Sequence, residues 1–197
     1  MATGETRKLP EEAPAEILDG CRRGDRESFR ALFELFGERV FTLARYMCRE
    51  ESRARDVAQQ TFLKIFASIA GFRGDCRFET WLYRIVVNTA RDAARSERRF
   101  VSLESDHIEG PRSLAPGGEE RLWRRQESAI LHSEIARLPP GLRAVVVLRY
   151  LEQLSYSEIA DVAGCSPGTV ASRLSRAHRR LERRLKSRLR PNFEEGT

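Results

Sequence analysis

Over the first hundred positions, apolar residues return every three or four places, which is the period of one face of an α-helix. From near Asp25, the residues Phe29, Leu32, Phe33, Phe36, Val40, Leu43, Ala44 and Met47 make one such face. A second begins after Ser52, read as its N-cap, and carries Ala54, Val57, Ala58, Thr61, Phe62, Ile65, Phe66 and Ile69. Both faces are expected in a core, while the reverse side of the second helix presents Asp56, Gln59, Gln60, Leu63 and Lys64. A polar loop with glycines at 71 and 74 leads into a third helix that runs to about Arg99. On it Trp81, Ile85 and Asn88 share one stripe, and Arg84, Arg91, Arg95 and Arg98 form its neighbour.

From position 101 to about 120 the period disappears into Gly, Pro, Ser and acidic residues, which reads as a linker. A helix is expected over 121–137, ending before Pro139 and Pro140. Beyond it, Ser157 is read as the cap of a short helix holding Ile159, Ala160 and Val162, which Gly164 ends in a left-handed conformation. Ser166 and Pro167 then open another helix, with Val170 and Leu174 facing inward and Thr169, Ser172, Arg173 and Arg176 outward. This is the pattern of a helix-turn-helix, whose second helix fits the major groove. No strand-like alternation and no internal repeat is present. The expected fold is all-α: two small helical domains on a flexible linker, the C-terminal one containing the helix-turn-helix. The expected division is a poorly ordered segment 1–19, a domain 20–100, a linker 101–127, a domain 128–190 and a tail 191–197.

Composition narrows the partners. The net charge is +6 over 197 residues, and 173–190 hold nine Arg or Lys against the single acid Glu182. Such clustering attracts a polyanion by counterion release, so nucleic acid is the expected partner and salt should weaken the contact. Apolar runs fall short of the ~20 residues that span a bilayer. The first sixteen residues have no apolar segment of a secretory signal, so a cytoplasmic protein is expected. Cys21, Cys48, Cys76 and Cys165 form no CxxC pair and no metal-ligand spacing with histidine, and free thiols are expected. Cys76, flanked at short range by Arg73 and Arg77, is the candidate for a redox role. There is no phosphate-binding Gly-Lys loop and no triad-like arrangement around His107, His132 or His178. No catalytic site, cofactor or metal is expected.

The loop and helix from Phe72 to Asp92 suit a strand whose bases are unstacked. Such bases need an apolar or flat wall and a few hydrogen-bonding groups, and their backbone needs cations. Trp81, Ile85 and Asn88 offer the first two, the arginine stripe the third; a solvated amphipathic helix would show the same pattern.

Two stretches together carry a resemblance: DVAQQTFLKIFASIAGFRGDCRFETWLYRIVVNTARD and LPPGLRAVVVLRYLEQLSYSEIADVAGCSPGTVASRLSRAHRRL. They resemble regions 2 and 4 of the extracytoplasmic-function group of the sigma-70 family, bacterial initiation factors for RNA polymerase. The resemblance implies that Asp56, Gln59, Gln60, Leu63 and Lys64 meet the clamp helices of the largest subunit of core polymerase. It implies that Phe72, Ile85 and Asn88 surround a pocket for a flipped base of the minus-ten element, with Arg84, Arg91 and Arg95 guiding the backbone. It also implies that Ala171, Ser172, Ser175 and Arg176, with Thr169 and Arg173 beside them, face the minus-thirty-five element. An anti-sigma factor covering both domains and a role in stress response belong to the same set of expectations.

Five positions depart from the family pattern: Gln60 where Glu is usual, Ala171 where Lys or Arg is usual, His178 in place of Arg, and Arg84 with Ile85 where housekeeping relatives carry two tryptophans. The last departure removes an aromatic melting wedge and implies stricter promoter choice. Two rival readings are a helix-turn-helix regulator that works without core polymerase, and a thiol redox protein using Cys76 or Cys165.

Overall fold

A computed structural model describes residues 13–100 and 129–188, and every regular element among them is helical. The N-terminal domain is α1 (Ala15–Arg22), α2 (Arg26–Met47), α3 (Glu51–Ser68), a 3-10 turn (Ile69–Gly71) and α4 (Phe78–Phe100). The C-terminal domain is α5 (129–136), α6 (Pro140–Tyr150), α7 (Tyr156–Ala163) and α8 (Pro167–Arg188). The expected linker 101–127, the first part of the helix expected over 121–137, the side chain of Arg98 and the positions beyond 188 lie outside the described residues.

The N-terminal boundary moves earlier than expected. Residues 15–19, placed by sequence in a poorly ordered segment, belong to α1, which buries Leu18 and Cys21 against the domain. Gly20 is required there: a Cβ at this position would lie 1.9 Å from Ser28 Oγ, so α1 can approach α2 this closely only without a side chain. Asp25 then caps α2, its carboxylate accepting from the Ser28 N–H at 3.0 Å. α3 starts two residues ahead of expectation, with Glu50 at its N-cap and Ser52 already inside the first turn.

Leu32, Phe36, Val40 and Leu43 of α2 meet Ala54, Val57 and Ile65 of α3 and Leu82, Tyr83 and Val86 of α4, all at 2% exposure or less. Each large side chain so buried stabilises by roughly 1.5–3 kcal/mol. Phe36→Ala would cost about 3–5 kcal/mol and is the single change most damaging to this domain. Two residues expected in the core are not there. Phe33 and Phe66 are 57% and 60% exposed, at the rim of the α2–α3 contact, where Phe29 stacks on Phe66 at 4.6 Å and Phe33 on Phe62 at 4.8 Å. A helical period marks a broad apolar arc, and only the neighbouring helix decides how much of that arc it covers.

In the C-terminal domain α6 presents an almost continuous buried run from Leu142 to Leu148. α7 is capped by Ser155, not Ser157 as expected. Ser155 and Glu158 form a reciprocal capping box, with the Ser155 N–H donating to Glu158 Oε2 at 2.8 Å and the Glu158 N–H donating to Ser155 Oγ at 3.3 Å. Hydrogen bonds from Ser155 hold the Glu158 carboxyl below its ordinary range. Gly164 ends α7 at φ 63°, ψ 48°, the left-handed region expected of it. Ser166 then accepts from the Thr169 N–H at 3.2 Å and starts α8, whose Val170 and Leu174 are buried against the rest of the domain.

The two domains pack on each other, α6 against α2 and α7 against α4. Glu152, at the end of α6, is 3% exposed; its Oε2 accepts from Arg39 Nε at 2.7 Å and from the Tyr83 hydroxyl at 2.5 Å. Arg143 of α6 reaches across to donate to the carbonyl of Met47 and, within its own domain, to that of Leu138 at 3.0 Å. The rings of Tyr46 and His132 stack at 4.7 Å.

Candidate polymerase and nucleic-acid interfaces

α3 turns its Ala54–Val57–Thr61–Ile65 side to the core, and so Asp56, Gln59, Gln60, Leu63 and Lys64 all emerge on the outside of one helix. Leu63 is 54% exposed among these polar groups. Lys64 lies 3.6 Å from Asp92 of α4, so part of its charge is already matched. Sequence reasoning missed two neighbours. Phe66 stands one turn after Leu63 and Phe33 stacks on Phe62, so the polar face borders an exposed aromatic patch. Their apolar spacing assigned them to the core; the signal that could have separated them is that the arc was too wide for one contact.

α4 keeps Arg84, Asn88 and Arg95 exposed in one row, with Trp81 and Ile85 half-buried beside it. A polar row with an apolar margin is what an unstacked strand needs. Phe72 is placed differently from a pocket wall open to solvent. It is only 7% exposed, its ring 5.1 Å from Trp81 and 5.8 Å from Phe78, with the Arg22 guanidinium 5.6 Å above it. It supports the floor under Trp81.

In α8, Ala171, Ser172, Ser175 and Arg176 are exposed on one side, and Thr169 is half-buried in the first turn. Ser172 Oγ donates to the Thr169 carbonyl at 3.0 Å and Arg176 Nε to the Ser172 carbonyl at 3.2 Å, so both side chains lie along the helix until a partner draws them away. His178, one of the departures, shares a hydrogen bond of 2.8 Å with the Tyr150 hydroxyl.

Arg173 stands apart from this set. It is half-buried at the domain seam, donating to Cys165 Sγ at 3.6 Å, and it approaches Arg91 of α4. Burial first, then Arg173, depress the Arg91 guanidinium below the ordinary arginine range; Arg95 adds to this and Cys165 opposes it. Among the described residues Arg91 has no ion pair. One of the arginines expected to follow the minus-ten strand and one expected near the minus-thirty-five element therefore lie near enough across the two domains for their charges to interact. Periodicity along either helix could not reveal this, because it arises from docking of separate domains.

Among the described residues no three His, Cys, Asp or Glu side chains gather where a metal ion could be held, and no described helix is long and apolar enough to cross a membrane. Cys21 and Cys48 are buried and Cys76 and Cys165 half-buried, all as free thiols. Burial, then the Asp25 charge, push the Cys21 thiol up, away from reactivity.

Family models for Sigma-70 region 2 and Sigma-70, region 4, match residues 32–100 and 128–181. The RNA polymerase sigma-H factor of Pseudomonas aeruginosa is 34% identical over 190 residues, covering 92% of this chain and 98% of its own. The ECF RNA polymerase sigma-E factor of Haemophilus influenzae is 34% identical over 178 residues, 86% of this chain and 93% of that one. The chain belongs to the extracytoplasmic-function group of the sigma-70 family. It is an RNA polymerase sigma factor, directing core polymerase to specific promoters and assisting initiation. Solved sigma-factor structures share the fold. CnrH, solved with the cytosolic domain of CnrY, superposes with a TM-score of 0.64 at 26% identity, over 87% of this chain and 96% of that one. RpoE of Bartonella quintana, solved with the anti-sigma factor NepR, gives 0.68 at 24% identity, over 81% and 98%. These matches leave no room for the operator-binding regulator or the thiol redox protein as the main reading.

Proposed function

We propose the following division of labour within this sigma factor. Domain 20–100 docks on the clamp helices of core polymerase through Asp56, Gln59, Gln60, Leu63 and Lys64, and the docking surface continues over Phe33 and Phe66. The same domain reads the minus-ten element on the unpaired strand: Asn88 and Ile85 line the base site, Phe72 holds its floor through Trp81, and Arg84, Arg91 and Arg95 follow the backbone. Domain 128–190 reads the minus-thirty-five duplex through Thr169, Ala171, Ser172, Ser175 and Arg176, with Arg173 joining once it leaves the domain seam. No covalent chemistry is assigned to any residue, the protein works in the cytoplasm, and an anti-sigma factor holds it inactive, a partner of the class with which RpoE of Bartonella quintana was solved.

The observation that carries this reading is the exposed row Arg84–Asn88–Arg95 beside half-buried Trp81 and Ile85, on a different domain from an exposed Ser172–Ser175–Arg176 face. Two readers on separate domains suit two promoter elements. The test is transcription reconstituted from core polymerase and a pool of genomic fragments, with and without the protein. Start sites that depend on the protein support the reading, and their absence sinks it.

A further inference from the structure

The two DNA-reading domains pack together in the free chain, α7 against α4 and α6 against α2, which is a geometry no promoter can use. Burial and then the charge of Arg173 on α8 act on Arg91 of α4 and lower its pKa from the ordinary arginine value. The elements they are assigned to are separated, by their names, by about 25 base pairs, or roughly 85 Å at 3.4 Å per pair. The chain from Phe100 to position 129 is long enough to allow this separation, up to roughly 90 Å at about 3.3 Å per residue. The domains must therefore part before both elements are engaged, and something must hold them together until then.

Apolar packing contributes, since the buried residues of both domains form one hydrophobic cluster, but the seam also carries a residue-specific polar contact. Glu152 is a 3%-exposed carboxylate from one domain, held entirely by two groups of the other: Arg39 Nε at 2.7 Å and the Tyr83 hydroxyl at 2.5 Å, with the Arg39 guanidinium also 5.3 Å over the Tyr83 ring. Burial and then the Glu152 charge push the Tyr83 phenol up, so it stays a proton donor to that carboxylate. The turn that presents Glu152 is bent to do so. Gln153 sits at φ 54°, the sole non-glycine with positive φ among the described residues, and Arg149 Nη1 braces the turn by donating to the Leu154 carbonyl at 2.8 Å. A non-glycine in that region is strained and persists where the surroundings impose it. On the other side of the balance, the Arg91–Arg173 approach is between like charges and opposes closure. An attractive buried contact and a repulsive one across a single seam describe a closed state that a competitor can open.

We propose that Glu152, received by Arg39 and Tyr83, is a latch that keeps the free sigma factor closed, and that its release precedes promoter engagement. The second half rests on the division of labour above; the first does not. DNA phosphates drawn to Arg91 and Arg173 favour the open form, since each arginine then trades a like-charged neighbour for an anion. If only the open form engages core polymerase, closure lowers the apparent affinity by a factor equal to the fraction of open molecules.

The test is small-angle scattering of the full chain, wild type against Glu152→Gln, Arg39→Gln and Tyr83→Phe, together with affinity for core polymerase. The wild type is expected to be compact. Glu152→Gln and Arg39→Gln, each of which removes a charged hydrogen bond, should raise the open-to-closed ratio about ten- to a hundredfold and enlarge the radius of gyration with helix content unchanged. Tyr83→Phe, which removes one hydroxyl, should enlarge it less and decides the matter if either charge variant loses helix content. A wild type already extended, or variants as compact as wild type, would overturn the latch. Variants that open yet bind core polymerase no more tightly would overturn its link to activation. Failure of every form, wild type included, to bind polymerase would instead strike the division of labour and leave the scattering result to judge the latch.

Discussion

Phe66→Ala separates docking from folding at the aromatic rim of α2 and α3. Phe66 is 60% exposed, so of a side chain of roughly 200 Å² about 120 Å² faces solvent and about 80 Å² faces Phe29 and its surroundings. At about 25 cal/mol per Å² the buried part is worth about 2 kcal/mol, and the better helix propensity of alanine returns about half a kcal/mol, so the folded domain loses some 1.5 kcal/mol. The exposed part matters only if polymerase covers it. Full coverage would be worth about 3 kcal/mol, and coverage of half about 1.5 kcal/mol, which is already more than tenfold in Kd. The assay is equilibrium competition of labelled wild-type protein from core polymerase, run beside a thermal melt. The expected outcome is a variant that remains folded and binds polymerase at least tenfold more weakly, while Arg176→Ala, on the far domain, binds within twofold of wild type. A folded Phe66→Ala protein with unchanged affinity would refute the reasoning that this patch is part of the docking face.

The DNA-reading sets should come apart in the same way. Asn88→Ala is expected to slow promoter opening, read by permanganate reactivity of the melted strand, with upstream duplex affinity unchanged; Arg176→Ala should weaken duplex binding at the minus-thirty-five element by about 1–3 kcal/mol in a filter assay. Phe72→Ala is a poor probe of base contact, because truncating so buried a ring should cost about 3–5 kcal/mol of stability by chemical denaturation; Phe72→Leu keeps the floor and tests the role. Gly164→Val forces a β-branched residue to φ 63° and should destabilise the C-terminal domain by about 1–2 kcal/mol or more, whereas Gly164→Asn should cost less. Ser155→Ala removes half the capping box and should cost about 1 kcal/mol near neutral pH. Because Glu158 has its folded pKa below the ordinary 4.5, its contribution is present above that value and fades as pH falls through the lower folded pKa. The gap between wild type and Ser155→Ala should therefore narrow on acidification below about pH 4.5, and melts across that range would show it.

The linear pattern determined much about this protein. Periodicity located α2, α3, α4 and the helix-turn-helix, because a helix that buries one side must repeat its apolar residues every three or four positions. The left-handed turn at Gly164 was legible for a local reason: only glycine adopts it freely, so the residue announces the geometry. The outward row of Asp56, Gln59, Gln60, Leu63 and Lys64 and the exposed Arg84, Asn88 and Arg176 followed from the same period once the buried side was known. Caps were less legible, since Ser52 and Ser157 have near neighbours, Glu50 and Ser155, able to serve, and the choice depends on where the preceding chain enters. α1 escaped notice because its eight residues carry only Ile17, Leu18 and Cys21 as apolar side chains against the core, too few to repeat. What the tertiary structure alone decided is which apolar residues are covered and which charges meet. Phe33 and Phe66 are exposed because they sit at the rim of the α2–α3 contact, Phe72 is buried because α1 and α4 close over it, and Glu152 meets Arg39 and Tyr83 across a sequence separation of 113 and 69 residues. A contact of that kind leaves no period in either segment, since neither helix needs the other in order to form; it exists only when two finished surfaces dock.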